Sequence, residues 1–242
     1  MKYLAWSVLV ALGAAGVAHA QAVNWDFEPP AYAPGGINGL QGWSAGGTAG
    51  PTVVNTFAAH GTQSLRMAWP SPASGNASKA TGFNSPAYWS ASFNLYINGA
   101  ATSASSFASI SLGTGLGTTW YFGVFGDGKI EDFGGANPVH DDLGIGALNQ
   151  WLSISTWGYN PTGDIFARVQ GVGIDRTYYT NFGVQTVRQD LVTLGVNNQV
   201  WSGAFPLDVY FDDVVVTTTP APGAAAVLGV GGLLMGRRRR RN

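Results

Sequence analysis

The sequence predicts an all-β domain in which two antiparallel sheets pack face to face as a β-sandwich. No stretch in the body of the chain keeps apolar residues at the three- and four-residue spacing of a helix, because Gly, Thr, Ser and Asn interrupt each candidate. Residues 88–98 instead alternate strictly, and the phase that contains Trp89 and Phe93 is apolar throughout. Glycine-rich turns separate about ten to thirteen such short runs, and two sheets allow each run to bury one face.

The strands follow one another along most of the chain. We expect them at residues 23–28, 52–56, 64–69, 88–98, 107–112, 119–125, 129–133, 151–160, 164–172, 191–197 and 207–217. Gly126-Asp127-Gly128 and Pro161-Thr162-Gly163 predict two hairpins, because these residues favour tight turns. The longer connections are predicted to be loops, and loops often carry binding residues; they lie at residues 29–42, 70–79, 134–146 and 200–206.

Composition indicates one folded domain, at residues 21–218. The chain has 242 residues, of which 45% are hydrophobic and 10% are charged, and its 35 glycines show no triplet period. It has no cysteine, which excludes disulfides, thiol nucleophiles and cysteine zinc sites. A core of this size is therefore expected to be held together by packing alone.

The N-terminal end predicts a signal peptide at residues 1–20. Met1-Lys2 is a minimal positive segment, residues 4–17 are apolar, and Ala18-His19-Ala20 fits the small-x-small cleavage pattern. The alternative is a first transmembrane helix, but the apolar run is short for that role. We expect cleavage after Ala20 and export of the rest.

The C-terminal end predicts a sorting tail at residues 219–242. Pro220, Ala221 and Pro222 precede an uncharged segment at residues 223–236 and a run of arginines at residues 237–241. This order resembles the PEP-CTERM sorting signal of bacterial envelope proteins, here with alanine between the two prolines. The resemblance implies recognition by an exosortase, transient passage through the membrane at residues 223–236, and delivery to the cell envelope, cell surface or extracellular matrix. As a helix, the apolar segment would span only about 21 Å of a hydrocarbon core of about 30 Å, so it needs neighbouring residues, local thinning of the bilayer or prompt cleavage. An ordinary tail anchor, which would remain attached, is the alternative.

The domain that remains after removal of both tails has a strongly negative net charge. Six of the twelve basic residues lie in the two tails, which leaves six basic against thirteen acidic residues, or a net charge of −7. Nucleic acid and anionic lipid would both be repelled by such a domain. Neither is expected as a partner.

The body resembles the jelly-roll modules that such envelope proteins often carry. The residues that carry the resemblance are 24–28 near the start, 60–65 further on and 210–214 near the end. They fit both the laminin-G or concanavalin-like superfamily and the galactose-binding-like one. The hairpin at residues 126–130, followed by residues 151–155, favours the laminin-G side.

Four carboxylates near the chain ends are candidate calcium ligands. If the first and last strands pair, they come together, and Ca²⁺ prefers such oxygen ligands; the residues are Asp26, Glu28, Asp212 and Asp213. Alternatively, these carboxylates only accept hydrogen bonds from loop amides. His140-Asp141-Asp142 is a weaker candidate for a metal or a base, and a solvated loop is the favoured interpretation there.

Aromatic side chains are the candidate ligand contacts, because sugar rings stack on flat aromatic surfaces. We expect such contacts from aromatics in loops or at a strand edge, namely Trp43, Trp69, Tyr178, Tyr179 and Trp201. The tryptophans within strands are predicted to be core residues, namely Trp25, Trp89, Trp120, Trp151 and Trp157.

No catalytic residue is predicted. The chain has only two glutamates, Glu28 and Glu131, and neither lies in the Glu-x-Asp-x-Glu strand motif of concanavalin-like hydrolases. Once the signal peptide is removed only two histidines remain, His60 and His140, which leaves little room for a hydrolytic triad. The sequence therefore predicts a non-catalytic glycan-binding or adhesion module of the cell envelope or matrix. The alternatives are a structural matrix protein without a small ligand and a polysaccharide-active hydrolase or lyase.

Overall fold

The structure is a computed structural model that describes residues 20–47, 50–68, 75–83, 87–98, 106–113, 120–133, 139–183, 187, 189–198 and 208–219. The predicted signal peptide up to His19 and the predicted tail from Pro220 onward lie outside the described residues. Within the described ranges, no helix is both long and apolar enough to cross a membrane.

Sixteen strands and two short 3-10 turns, Leu40–Gly42 and Ile145–Ala147, make up the described part of the chain. In chain order the strands are β1 (Gln21–Trp25), β2 (Gly35–Gly36), β3 (Ser44–Gly47), β4 (Thr52–Val54), β5 (Ser64–Ala68), β6 (Gly75–Ala80), β7 (Tyr88–Asn98), β8 (Ser106–Leu112), β9 (Trp120–Phe125), β10 (Lys129–Phe133), β11 (His140–Asp142), β12 (Trp151–Tyr159), β13 (Asp164–Gly171), β14 (Ile174–Asn181), β15 (Leu191–Asn198) and β16 (Asp208–Thr219). The predicted all-β class is confirmed.

The strands form two antiparallel sheets. The larger sheet has the order β14-β13-β12-β7-β16-β5-β4-β2, and β1 also pairs with β16. The smaller sheet has the order β11-β10-β9-β8-β15-β6-β3. Strand β16 pairs with β7 along one side, and with β5 and then β1 along the other. The first and last strands therefore pair, which is the condition on which the predicted calcium site depended.

The core lies between the sheets and is built from the apolar phase of each strand. Along β7 the residues alternate between buried and half-buried, with Trp89, Phe93 and Leu95 buried. Trp89 meets Trp120 of the smaller sheet with ring centroids 5.7 Å apart. Burying each such ring contributes roughly 1.5–3 kcal/mol, so the alternation fixes which face of β7 turns inward.

Both predicted hairpins are present, and a glycine closes each turn. Gly128 has a φ of 88°, and a Cβ there would lie 2.0 Å from the carbonyl oxygen of Gly144. Gly163 has a φ of 75°, and its N–H donates to the carbonyl of Tyr159 at 3.0 Å. Positive φ and the lack of space explain why glycine occupies both positions.

Five strands fall where the sequence predicted loops or gave no strand, namely β2, β3, β6, β11 and β14. Strand β6 has the sequence GNASKA and β14 has the sequence IDRTYYTN, so neither carries an aliphatic alternation. Their strand conformation comes from pairing: β6 lies between β15 and β3, and β14 borders β13. Backbone hydrogen bonds to a neighbouring strand thus override weak local propensity.

Candidate functional site: aromatic side chains on the outer face of the larger sheet

A row of three aromatic side chains crosses the outer face of the larger sheet. Trp157 of β12 lies opposite Phe166 of β13, and Phe166 lies opposite Tyr179 of β14. In β12 the alternate residues Leu152 and Ile154 are buried, so Trp157 in the other phase turns away from the core. We call Trp157, Phe166 and Tyr179 the aromatic row.

The rings of the aromatic row touch one another and remain open to solvent. Trp157 and Phe166 stack with centroids 5.6 Å apart and planes 10° apart, and Tyr179 follows at 5.1 Å from Phe166. Trp157 is 38% exposed and Tyr179 is 52% exposed. On its other side, Trp157 pairs with Ser90 of β7, a small residue. The large hydrophobic surface of the row is therefore available to a ligand.

A second stacked pair extends the aromatic surface toward the end of the sheet. Tyr88 and Tyr159 are cross-strand partners whose ring centroids are 4.3 Å apart. Gly158 separates Tyr159 from Trp157 in the chain and faces inward, where a Cβ would lie 2.6 Å from the ring of Trp89. The glycine thus lets the core tryptophan approach the strand that carries the outer aromatics.

Asp164 holds the exposed end of the aromatic row in place. Its carboxylate accepts hydrogen bonds from Tyr179 Oη at 2.7 Å, from Asn181 Nδ2 at 2.9 Å and from the hydroxyl of Thr162. The hydrogen bonds from Thr162, Tyr179 and Asn181 lower the pKa of Asp164. Asp164 therefore remains ionised at neutral pH and orients the Tyr179 ring.

Small polar side chains occupy the middle of the same face. Ser92 of β7 lies opposite Ser155 of β12, and Ser153 lies opposite Asn94. The three serine hydroxyls have no hydrogen-bond partner among the residues that the structure describes. We call Ser92, Ser153 and Ser155 the serine floor.

An exposed ion pair borders the serine floor. Arg168 of β13, opposite Ser155, donates two hydrogen bonds to Asp175 of β14 at 2.8 and 2.7 Å. This pairing raises the pKa of Arg168 and lowers that of Asp175. The two charges therefore neutralise each other next to the floor.

A second aromatic group lies beyond the serine floor, toward β16 and β5. Tyr96 of β7 pairs with Trp151 of β12 on one side and with Tyr210 of β16 on the other. Phe57, from the loop before β5, stacks on Trp151 at 5.3 Å and contacts Tyr96 at 4.4 Å and Tyr210 at 5.0 Å. We call these four residues the Phe57 cluster.

Two carboxylates of β16 hold one end of the loop that carries Phe57 against the sheet. Asp212 accepts hydrogen bonds from the backbone N–H groups of Ala59 and His60, at 2.9 and 3.2 Å. Asp213 pairs with the His60 ring at 2.5 Å and accepts a hydrogen bond from Asn94 at 2.8 Å. We call residues 57–63 the covering loop.

Glu28 holds the other end of the covering loop. It accepts hydrogen bonds from the backbone N–H groups of Thr62 and Gln63, each at 2.7 Å, and from the Thr62 hydroxyl at 2.7 Å. Burial acts to raise the pKa of Glu28, but these hydrogen bonds outweigh it and the pKa is lowered.

The shape of β16 places two of these carboxylates on one face. The register of β16 against β7 shifts between Asp212 and Val215, and Asp213 has a φ of 50°. This bulge re-aims Asp213, so that both acids meet the covering loop. Asp212 is fully buried, and burial raises the pKa of Asp212 to about 6 despite its backbone hydrogen bonds. Hydrogen bonding to Asp213 raises the pKa of His60.

The four predicted calcium ligands are all in the described part of the chain, and their contacts are with protein groups. Glu28, Asp212 and Asp213 bind the covering loop, and Asp26 accepts a hydrogen bond from the N–H of Glu28 at 3.1 Å. Among the described residues, no three His, Asp or Glu side chains form a group that could hold a metal ion. Calcium binding stays a prediction. The observed contacts are those of the alternative, in which the carboxylates accept hydrogen bonds from loop amides.

His140, Asp141 and Asp142 belong to an edge strand, not to a loop as predicted. His140 pairs with Glu131 at 3.1 Å, and Asp141 accepts a hydrogen bond from Tyr178 Oη at 2.7 Å. Asp142 caps the next turn through the N–H of Gly144. The three side chains therefore serve three different contacts.

The five predicted ligand-contact aromatics have different outcomes. Tyr179 lies exposed in the aromatic row, whereas Tyr178 is half-buried and packs against the core. Trp43 is 1% exposed and donates through Nε1 to Tyr32 Oη at 3.1 Å, so its assignment as a ligand contact was wrong. Trp69 and Trp201 lie outside the described residues.

Two tryptophans that were predicted as core residues lie on the outer face, namely Trp151 and Trp157. The signal was present in the sequence of β12. Its two phases read Leu-Ile-Thr-Gly and Trp-Ser-Ser-Trp-Tyr, and the phase with serines is the one that faces solvent. The aromatic residues in that phase hid the amphipathic pattern.

A cleft between the sheets is a further concave feature near this surface. Its cavity volume is about 10 Å³, which is room for about one water molecule, and Trp120, Phe122 and Tyr178 line it. The indole N–H of Trp120 has no hydrogen-bond partner among the described residues, and a water molecule would satisfy it. The outer face is therefore the better candidate site.

Comparisons with known proteins identify the fold. No protein-family model matches the sequence, and no curated protein matches it. Among solved structures, the conserved carbohydrate esterase of the Shiga toxin-encoding bacteriophage phi24B has a TM-score of 0.58 and 15% identity over 83% of this chain and 100% of that one. The lectin UEA-II, solved with galactose, has a TM-score of 0.56 and 10% identity over 82% of this chain and 99% of the lectin.

A sialidase has a TM-score of 0.57 and 12% identity over 82% of this chain, and this chain spans 18% of the sialidase. At such low identities the likeness shows the fold alone. It confirms the predicted jelly-roll sandwich.

Proposed function

We propose that this chain is a non-catalytic carbohydrate-binding module whose ligand stacks on the aromatic row. The observation that carries the proposal is the row itself. Trp157, Phe166 and Tyr179 lie side by side on three neighbouring strands, and their two end residues are 38% and 52% exposed. The apolar face of a sugar ring fits such a surface, and polar groups at its rim meet the hydroxyls.

The surroundings of the aromatic row supply that polar rim. The carboxylate of Asp164 lies at the Tyr179 end and accepts hydrogen bonds, and the hydroxyls of Ser155 and Ser90 lie next to Trp157. The row also stands on rigid β-structure, so that little conformational entropy is lost on binding. The fold likeness to a galactose-complexed lectin supports the same ligand class.

Catalysis is not part of the proposal, because the acids on this face are already engaged. Asp212 is buried beneath the covering loop, and Asp213 is paired with His60 and Asn94.

The two tails support a proposal about location, namely export and cell-envelope sorting by an exosortase. At that location the module would serve in adhesion.

The test is binding of the full-length chain to a glycan array, followed by titration of the best ligand against Trp157→Ala. We expect the variant to lose about tenfold or more in affinity, since aromatic contacts are worth about 0.5–1.5 kcal/mol beyond burial and about 1.4 kcal/mol is a factor of ten. Tyr121→Ala is the matched control, because Tyr121 lies half-buried on strand β9 of the smaller sheet. It should bind as the wild type does.

Three results would contradict the proposal. A blank array favours a structural matrix protein without a small ligand. Equal loss in Trp157→Ala and Tyr121→Ala places the ligand elsewhere. Release of sugar from a polysaccharide during incubation indicates a hydrolase or lyase; the similar structures include a sialidase and a carbohydrate esterase.

A further inference from the structure

We propose that the serine floor, together with the aromatic row and the Phe57 cluster at its two ends, is a groove for an extended, uncharged glycan chain. This inference rests on the proposed function and specifies its ligand. It depends on the shape of the face, on its free hydroxyls, on its charge and on its length.

The groove shape of this face results from the alternation of large and small side chains along β12 and β7. On the outer phase of β12, Trp157 and Trp151 stand at either side of Ser155 and Ser153. On β7, Tyr88 and Tyr96 likewise flank the serines at 90 and 92 and the asparagine at 94. Because aligned strands bring these positions side by side, a low polar surface lies between two raised aromatic ones.

The hydroxyls of the serine floor are unused within the protein. Ser92, Ser153 and Ser155 have no hydrogen-bond partner in the described part of the chain, although each lies on a paired strand. Ser90, two residues before Ser92 on β7, is different because its Oγ lies 2.6 Å from the Thr217 hydroxyl. A hydroxyl is both donor and acceptor, so these three serines match the hydroxyls of a sugar chain.

The charge of the floor indicates an uncharged ligand. Arg168, the nearest cation on β13, is bound by Asp175 through two hydrogen bonds. The imidazole of His60 at the other side is held by Asp213. Each cation already has a carboxylate, and the domain as a whole is acidic, so an anionic chain would gain no free positive partner.

The length of the face requires more than one sugar ring. From Trp157 to Trp151 is six residues along β12, or about 20 Å at about 3.4 Å per residue. A monosaccharide on Trp157 therefore leaves Ser153 and Trp151 uncontacted. A chain that lies along the strands contacts the aromatic surface at both ends, and its binding energy rises with each ring that it adds.

The experiment measures affinity against chain length, with the full-length protein. The probes are glucose, galactose and mannose and their oligomers up to the octasaccharide, with oligomers of uronic acids as the charged series. We expect affinity for one uncharged series to rise by tenfold or more from the monosaccharide to the oligomer that bridges about 20 Å and then to level off. Uronic acid oligomers should bind more weakly at every length.

Two variants fill the groove, Ser153→Tyr and Ser92→Tyr. Tyrosine is favourable in strands and its bulk blocks the floor. Each should lower the affinity for the long oligomers by tenfold or more and leave that for the monosaccharide unchanged. Ser111→Tyr is the control, because Ser111 is half-buried on the paired strand β8 of the smaller sheet, and it should bind as the wild type does. A melting temperature equal to that of the wild type shows that a groove-filling variant is folded.

The outcomes separate this inference from the proposed function. Binding that depends on Trp157 but not on chain length overturns the groove and leaves the proposed function intact. The groove is also overturned if either folded serine variant binds the octasaccharide as tightly as the wild type, or if the uronic acid series binds more tightly. Absence of binding to every probe overturns both.

Discussion

Replacing Asp212 with asparagine should remove a large part of the pH dependence of the stability of the domain. Asp212 is fully buried beneath the covering loop, and its carboxylate accepts hydrogen bonds from the N–H groups of Ala59 and His60. Asparagine has the same shape and does not titrate, but only its Oδ1 accepts, whereas the two oxygens of Asp212 accept from Ala59 and His60 on one side and from Asp213 on the other. The lost hydrogen bonds lower stability at every pH, so the change of the difference with pH isolates the charge.

The magnitude follows from the pKa of Asp212. Burial raises it from the ordinary value of 3.8 to about 6, and about two pKa units at about 1.36 kcal/mol each correspond to about 3 kcal/mol. Between these two pH values the folded chain keeps the proton and the unfolded chain has released it. The stabilisation is therefore fully present below about pH 4 and is lost as the pH rises through about 6.

The assay is urea unfolding of the full-length chain, followed by tryptophan fluorescence at pH 4, 5, 6 and 7. The free energy of unfolding of Asp212→Asn, relative to the wild type, should rise by about 3 kcal/mol from pH 4 to pH 7. His60 titrates in the same direction, since Asp213 raises its pKa and that stabilisation is lost as the pH rises above about 6.5. The unfolding of the protein with and without Asp212→Asn is therefore also compared in a second background, in which both proteins carry His60→Gln.

A control with the opposite sign is available. Arg168 lowers the pKa of Asp175, so Asp175→Asn should cost stability at neutral pH and not at low pH. The reasoning about Asp212 is refuted if the difference between Asp212→Asn and the wild type stays constant from pH 4 to pH 7 in both backgrounds.

Two further predictions concern the core and the carboxylates. Trp43→Ala should lower the free energy of unfolding by about 3–5 kcal/mol, as for other buried tryptophans, whereas Trp157→Ala should lower it far less. Urea unfolding of both variants measures the difference. Equal losses would contradict the placement of Trp43 in the core. Excess chelator should leave the melting temperature of the full-length chain unchanged, because Glu28, Asp212 and Asp213 already bind the covering loop; a lower melting temperature would instead support calcium.

The sequence was sufficient to predict the elements whose local pattern is strong. The alternation in β7 predicted both its bounds and its buried face, and the glycine turns predicted the two hairpins. It failed where local pattern is weak: β6 and β14 are strands because a neighbouring strand pairs with them. Neither strand has an aliphatic alternation, and in β14 the Thr and Tyr residues favour a strand without determining one.

For the candidate site, the sequence identified the residue type but not the residues. Tyr179 was predicted as a ligand contact and lies in the aromatic row, while Trp157 was assigned to the core and Trp43 to a loop surface. The phase of its strand decides whether Trp157 or Tyr179 is exposed, whereas Trp43 lies between a 3-10 turn and β3 and is buried against Trp25 and Phe27. The phase of a strand depends on which sheet packs on which face, and that is set by contacts between residues far apart in the chain.

The sequence by itself determined the all-β class, the lack of disulfides and the acidic charge of the body, because composition and alternation depend only on the order of residues. Only the tertiary structure decided that aromatics from β12, β13 and β14 form one surface, and that serines from β7 and β12 lie beside it. Strand pairing brings together residues that are distant in sequence, and no local pattern encodes which strands will be neighbours. The same pairing places Glu28, which follows β1, and Asp212 and Asp213 of β16 against the covering loop, where the sequence had predicted a metal ion.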